Sequence, residues 1–221
     1  MTYLGLYKNE EEKQNIKIVE KNGIKIAFVS FNQYVNGVTY QKKLPYMINF
    51  HESTMMENMK KARENADIVI VSCHWGIEYD YYPNTFQKNM AKQLADAGAD
   101  VIIGTHPHTL QDVEYIQRAD GKRTLVAYSL GNFVSGMLEE SCQLEGMLSF
   151  DIEKKKIKNV VFTPLVNYYT LTGKRERHGF SVYRLKDYTN KLVEKHGFPN
   201  LTIPYMKEEV KQKVKNIKID M

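Results

Sequence analysis

Two short apolar runs constrain this chain more than any other feature: Ile68-Val-Ile-Val71 and Val101-Ile-Ile103. Each is continuous rather than alternating, the pattern of a strand covered on both faces. The stretch between them has helical spacing, with Phe86, Met90, Leu94 and Ala97 on one face. Asn84 is placed to cap that helix and Gly98 to end it in the C′ position. Strand, helix and strand in this order predict a βαβ unit with parallel strands and a right-handed crossover. The expected fold class is therefore α/β.

The rest of the chain reads around that unit. Lys8 to Gln14 is an exposed loop or the start of a short helix. Ile16–Val19 and Ile24–Ser30 are expected strands, joined by Asn22-Gly23, a strong hairpin signal. Residues 32–50 read as loop, punctuated by Asn36-Gly37 and Pro45. Ser53 is placed as the cap of a helix running through Met55, Met59, Ala62 and Ala66. Thr124–Tyr128 is a further strand, entered from an Asp120-Gly121 turn. Gly146–Ile152 and Ile157–Phe162 predict a hairpin around a Lys-rich turn. From Pro164 the chain reads as irregular and aromatic, then basic from Lys174 to His178. The tail from Asp187, broken by Pro199 and Pro204, reads as polar helical pieces packed on the outside.

With 221 residues, one domain with a small appendage is expected, divided as 1–185 and a helical extension 186–221. Hydrophobic residues at 43% and charged residues at 26% exclude a wholly disordered or collagen-like chain. No window carries the ~18 consecutive apolar residues of a membrane span. The first residues run straight into charge, so neither a signal peptide nor an anchor is expected from them. Two cysteines are too few for a disulfide framework and leave the redox compartment open. A net charge of +5, mostly lysine, reads as a solvated surface and not as a nucleic-acid footprint.

The chemistry sits where the two apolar runs end. The first leads to His74-Trp75-Gly76, the second to Gly104-Thr-His106-Pro-His108. Ligands of α/β sheets bind beyond the carboxyl ends of the strands, so three imidazoles are delivered to that edge. Pro107 is expected to keep His106 extended, which would point His106 and His108 the same way. Neutral imidazole is a common transition-metal ligand. One histidine after a strand is more often a hydrogen-bonded turn residue; three at one edge favour a metal site. Glu78 and Asp80 follow His74 and would orient an imidazole or a substrate cation, or sit in a solvated loop, the loop reading being preferred for Asp80. Asn132 reads equally as a group at the same edge or as a turn residue. Trp75 is expected to be a core or lid aromatic. Cys73 should point away from His74 into the core, against a thiol nucleophile. His51, His178 and His196 read as surface, and the Lys174–His178 stretch as a solvated loop rather than a polymer contact.

Three segments carry a family likeness. Ser72-Cys-His-Trp-Gly-Ile-Glu-Tyr79, Gly98-Ala-Asp-Val-Ile-Ile-Gly-Thr-His-Pro-His108 and Ala127-Tyr-Ser-Leu-Gly-Asn-Phe133 resemble successive motifs of the bacterial capsule synthesis proteins of CapA type, linked to poly-γ-glutamate biosynthesis. Asn22–Ser30 and Tyr7–Glu12 are similar to that family as well, and the likeness runs from about residue 3 to residue 165. That family resembles the calcineurin-like metallophosphoesterases, an αββα sandwich. The resemblance implies that His74 corresponds to an isolated metal ligand and that His106 and His108 correspond to a pair serving two metals. The earlier acidic and Asn-His motifs have no counterpart, so the resemblance implies a sandwich lacking its first strands. A dinuclear site needs carboxylate charge and a bridging ligand. Three imidazoles would hold at most one divalent metal, manganese, zinc or iron, and weakly. The implied function is the C-terminal portion of a metal-dependent phosphoesterase-like hydrolase, inactive alone, with Glu78 and Asn132 behind the ligands or against substrate. The alternative is a non-catalytic component that binds polyglutamate or other capsule-biosynthesis proteins. The resemblance also implies an envelope-associated setting, and a sheet edge and apolar face to be covered by a partner or by a second copy in a homodimer.

Overall fold

The computed structural model describes residues 3–5, 7–33, 52–173, 175–198 and 200–221. Asn36-Gly37, Pro45, His51, Lys174 and Pro199 lie outside the described residues. The chain opens with a short helix, α1 (Glu10–Gln14), whose cap Asn9 accepts from the Glu12 backbone N–H at 2.8 Å. Strands β1 (Lys17–Lys21) and β2 (Ile24–Asn32) form the expected hairpin. Asn22 (φ 53°) and Gly23 (φ 71°) are both left-handed, as a two-residue turn matched to strand twist requires. Helix α2 (Glu52–Asn65) begins earlier than expected, so Ser53 is its second residue and not the residue ahead of it.

Next come β3 (Ile68–His74), α3 (Thr85–Asp96) and β4 (Val101–Thr105), the predicted βαβ unit, with β3 and β4 parallel. Asn84 and Gln87 cap α3 reciprocally, and Gly98 ends it at φ 103°. Strands β5 (Val113–Gln117) and β6 (Arg123–Ala127) complete a six-stranded sheet in the order β1-β2-β3-β4-β6-β5. The four inner strands are parallel and the two edges antiparallel. The sequence reading missed β5, an edge strand of five residues whose pairing with β6 rather than its own pattern makes it a strand.

A second sheet contains β7 (Leu144–Glu153), β8 (Lys156–Thr172), β9 (Glu176–Arg184) and β10 (Lys218–Ile219). Lys154 and Lys155 form the turn between β7 and β8. The expectation of irregular chain beyond Pro164 is corrected: β8 continues to Thr172. Pro164 is tolerated opposite Gly146, and β9 pairs with the strand's second half.

Two cores result. In the first, Ala27, Val29, Val69, Val71 and Ile102 of the sheet meet Met55, Met59, Met90 and Leu94 of α2 and α3. In the second, Val113 and Ala127 of the first sheet join Phe162, Val166 and Tyr169 of β8. Helix α5 (Ile203–Lys213) adds Met206 and Val210 to that second core, and α4 (Asn190–His196) packs Leu192 and Val193 against it. The tail is therefore not simply applied to the outside; Phe198, Leu201 and Val214 are core residues. His196, expected at the surface, is buried among Tyr168, Tyr169 and Phe198, where Tyr188 Oη lies 2.9 Å from its Nδ1. Burial pushes its pKa down to about 4, so it packs as a neutral ring. The layers form a mixed α/β fold consistent with a metallophosphoesterase-like architecture. Among the described residues, no helix is long and apolar enough to cross a membrane.

Candidate functional site

Parallel register places the ends of β3 and β4 side by side, His74 opposite Thr105. Thr105 Oγ1 donates to the Cys73 carbonyl at 3.1 Å and lies 3.4 Å from His74 Nδ1. The ring centroids of His74 and His106 are 4.6 Å apart, and those of His106 and His108 6.2 Å apart. The sequence reading named all three residues, and the fold gathers them at one edge. Its local argument needs correction. His106 (φ 102°) and His108 (φ 63°) are left-handed, not extended. The Pro107 carbonyl accepts from the Tyr79 N–H at 2.8 Å, and that contact with the neighbouring loop outweighs the usual preference before proline.

The imidazoles suit lone-pair donation. Burial, then the nearby His106 and His108 rings, holds His74 below the ordinary imidazole range. Burial does the same to His106, against the opposing pull of Glu78. Asn132 Oδ1 lies 2.8 Å from His108 Nδ1, while Asn132 Nδ2 donates to the His108 carbonyl at 3.3 Å. With the amide oxygen as acceptor, Nδ1 is the nitrogen that donates, so in the neutral ring the lone pair is on Nε2. Glu78 Oε1 stands 3.8 Å from that Nε2. Were zinc held by these imidazoles, replacing Asn132 with leucine would lower its affinity by roughly 10- to 100-fold, as loss of a ligand's outer partner does. Calorimetry with zinc measures the loss, and nitrogen NMR of His108 reports the expected mixing of tautomers.

The loop 77–82 is held from several sides. Thr109 Oγ1 donates to the Asp80 carbonyl at 2.6 Å. Gln111 Nε2 donates to the carbonyls of Asp80 at 2.9 Å and Tyr82 at 3.1 Å. Gln87, the capping residue of α3, donates to Gln111 Oε1 at 2.8 Å. Lys213 of α5 donates to the Tyr81 carbonyl at 2.7 Å, its ammonium 4.5 Å from the Tyr82 ring centroid. Sequence reasoning missed Gln87, Gln111 and Lys213 as positioning groups. The capping pattern at Asn84 and Gln87 was readable, but nothing along the chain linked it to this loop.

Other expectations resolve plainly. Cys73 is buried and burial pushes its thiol up, so it is a core group. Trp75 is buried too, its indole donating to the Tyr128 carbonyl at 2.9 Å. His178 is exposed beside Glu176. Within the 164–184 stretch Tyr168 and Tyr169 are buried in the second core, whereas Phe180 is exposed.

Imidazole with one carboxylate suits a single mid-row dication, and one carboxylate beside three imidazoles does not suit two. The groups are gathered but not closed on a common point: among the described residues, no three His, Cys, Asp or Glu side chains are disposed to hold a metal as they stand. A cavity of about 470 Å³ lies elsewhere, lined by Tyr3, Tyr7, Lys17, Ser30 and Asn58 among others, and contains none of these histidines. Its size does not make it the chemical site, because it gathers no comparable donor set.

A parallel-stranded α/β sheet with histidines at its carboxyl edge defines a class of site that several families share. Comparison narrows it: residues 1–137 match the model of the bacterial capsule synthesis protein family PGA_cap, and the chain belongs to that family. It is 36% identical over 139 residues to the capsule biosynthesis protein CapA of Bacillus anthracis, covering 61% of this chain and 33% of that protein. It is 31% identical over 160 residues to the PGA biosynthesis protein CapA of Bacillus subtilis (strain 168), covering 72% of this chain and 41% of that protein. The chain thus spans well under half the length of these relatives. Among solved structures, the NAD nucleotidase of Haemophilus influenzae is similar at 14% identity, covering 93% of this chain and 38% of that chain. Its TM-score of 0.40 is too low to argue from.

Proposed function

We propose that this chain is the histidine-bearing part of a metal-dependent phosphoesterase-type hydrolase acting in capsule biosynthesis, with His74, His106 and His108 as the metal-binding residues. The observation that carries the reading is the gathering of three imidazoles at two adjacent parallel strand ends, with ring centroids 4.6 Å apart for His74 and His106 and 6.2 Å apart for His106 and His108. A dication bound there would supply Lewis acidity toward a phosphoryl or acyl oxygen. The protein's own part is to present ring nitrogens, two of them biased toward the neutral form by burial and the third oriented by Asn132. Glu78, half-exposed beside His108, is placed to add charge or to take a proton at its carboxylate. Ile26, Phe28 and Ile70 share one face of β2 and β3, half-buried and outside both cores, and that face is where a partner or a second copy would sit.

The test is direct. Isothermal titration of the purified chain with zinc is expected to give one site, and His74→Ala or His108→Ala is expected to weaken it by roughly 100-fold or more, beyond the loss typical of an outer partner. A parent chain that takes up no zinc removes the reading, as does binding that survives both substitutions.

A further inference from the structure

We propose that the cavity beside β2 is a slot for an added strand, filled by an extended segment of a separate polypeptide. Nothing in this depends on the histidine edge. β2 is paired unequally along its length. On one side β3 follows it from Ile26 to Asn32. On the other, β1 reaches only from Ile24 to Phe28, and the chain ahead of Lys17 comes in from α1. Among the described residues, no strand pairs with residues 29–32 on that second side. A strand paired on one side only presents backbone N–H and C=O groups that another chain can meet.

The cavity of about 470 Å³ lies at this gap. Ala27, Val29 and Phe31 share a core with Met55 and Met59, so they face α2. Strand alternation therefore sends Phe28 and Ser30 to the opposite face. Val29, Phe28 and Ser30 all line the cavity, and so does Asn58 of α2. A void that touches residues of both faces runs beside the strand, in continuation of the sheet, where a neighbouring strand would lie. Residues 29–32 extend over about 13 Å at roughly 3.3 Å per residue, so about four residues of an added strand fit alongside. The lining suits a peptide backbone. Ser30 is 7% exposed, and its hydroxyl has no hydrogen-bond partner among the described residues. Asn58, 4% exposed, is a second buried polar side chain there. Both can donate and accept, as a backbone does. Glu12 and Lys17 place both signs of charge on the wall, which disfavours a small anion and a small cation alike. In strand addition, main-chain pairing supplies affinity and alternate side chains supply selectivity.

The experiment uses the whole chain and, as the probe, a short acetylated and amidated peptide of alternating valine and threonine, read by amide NMR. Titration is expected to shift the amides of residues 29–32. Exchange of those facing the gap is expected to slow by roughly 10-fold with peptide at about ten times its Kd. Two N-methylated peptides, one methylated at odd residues and one at even, separate strand pairing from side-chain filling. An added strand pairs along one edge, and successive residues present their N–H groups to opposite edges. One version is therefore expected to bind like the parent peptide and the other not at all. Ser30→Leu, which fills the slot, is expected to abolish the shifts while the amides of β4 keep their parental positions. Equal binding of both methylated peptides overturns the proposal, because side chains alone would then be read. So does a parent peptide that leaves residues 29–32 unshifted at millimolar concentration, or unchanged binding in Ser30→Leu. If residues 29–32 are protected before peptide is added and lose that protection on dilution, the occupant is a second copy and the proposal falls.

Discussion

Gly104→Ala is expected to destabilise the chain by about 3 kcal/mol or more and to disperse the histidines, because it overpacks a backbone contact that cannot yield. A Cβ built at Gly104 would lie 1.9 Å from the Tyr128 carbonyl oxygen and 2.5 Å from Trp75 Nε1. The first neighbour is backbone, just beyond the end of β6, so relief requires moving β4 away from it. The second is the indole that donates to that same carbonyl at 2.9 Å, so the hydrogen bond is lost as well. Gly104 lies two residues before His106, and the displacement passes directly to the site. Urea denaturation checks the stability, and zinc titration of whatever remains folded checks the site. A variant with parental midpoint and parental zinc affinity would show that the contact is not as close as described.

The second large effect concerns Glu145, which no sequence argument singled out. It is 1% exposed, neither carboxylate oxygen has a hydrogen-bond partner among the described residues, and burial raises its pKa to about 9. Gly131 packs against it, 3.3 Å from an ideal Cβ at that glycine to Glu145 Cγ, beneath the loop that carries Asn132. The folded chain therefore holds a proton that the unfolded chain releases near pH 4.5. The associated stability is fully present below that pH and is lost as pH rises toward about 9. Between pH 5 and 7.5 the loss is about 3 kcal/mol at ~1.36 kcal/mol per pH unit. Glu145→Met keeps the length, removes the proton and is expected to remove this slope, leaving the variant more stable than the parent at pH 7.5. His196 titrates in the opposite sense: its folded pKa of about 4 costs stability as pH falls from 6.5. It does so in both proteins, so it cancels when parent and variant are compared at each pH. Parallel stability curves for the two proteins from pH 5 to 8 would refute the assignment.

The contrast between the βαβ unit and the histidine loop explains how far reading the chain can reach. β3, α3 and β4 were legible because continuous apolar runs, an Asn84 cap and Gly98 are local signals. Each is set by side chains within a few residues of where it acts. The hairpin at Asn22-Gly23 was legible for the same reason. The conformation of His106-Pro-His108 was not, because the Tyr79 N–H, remote in sequence, overrides the local preference. β8 beyond Pro164 escaped notice because its pairing partner, β9, supplies the order its own composition conceals. His196 looked like a surface residue because polarity alone does not reveal an aromatic cage assembled from β8 and the chain around α4.

Residue type and the order of elements were thus sufficient to name the three imidazoles and the sheet edge they occupy, and the capsule-synthesis family came from the resemblance of contiguous motifs. Those depend on periodicity and on motifs contiguous in the chain. Which ring nitrogen His108 presents, that Glu78 stands against it, and that Gln111 and Lys213 hold the loop between them were decided only in three dimensions. Hydrogen bonds depend on distances of a few tenths of an ångström between groups separated by up to 132 positions in sequence. No local pattern encodes such distances; the packing of one element against another sets them.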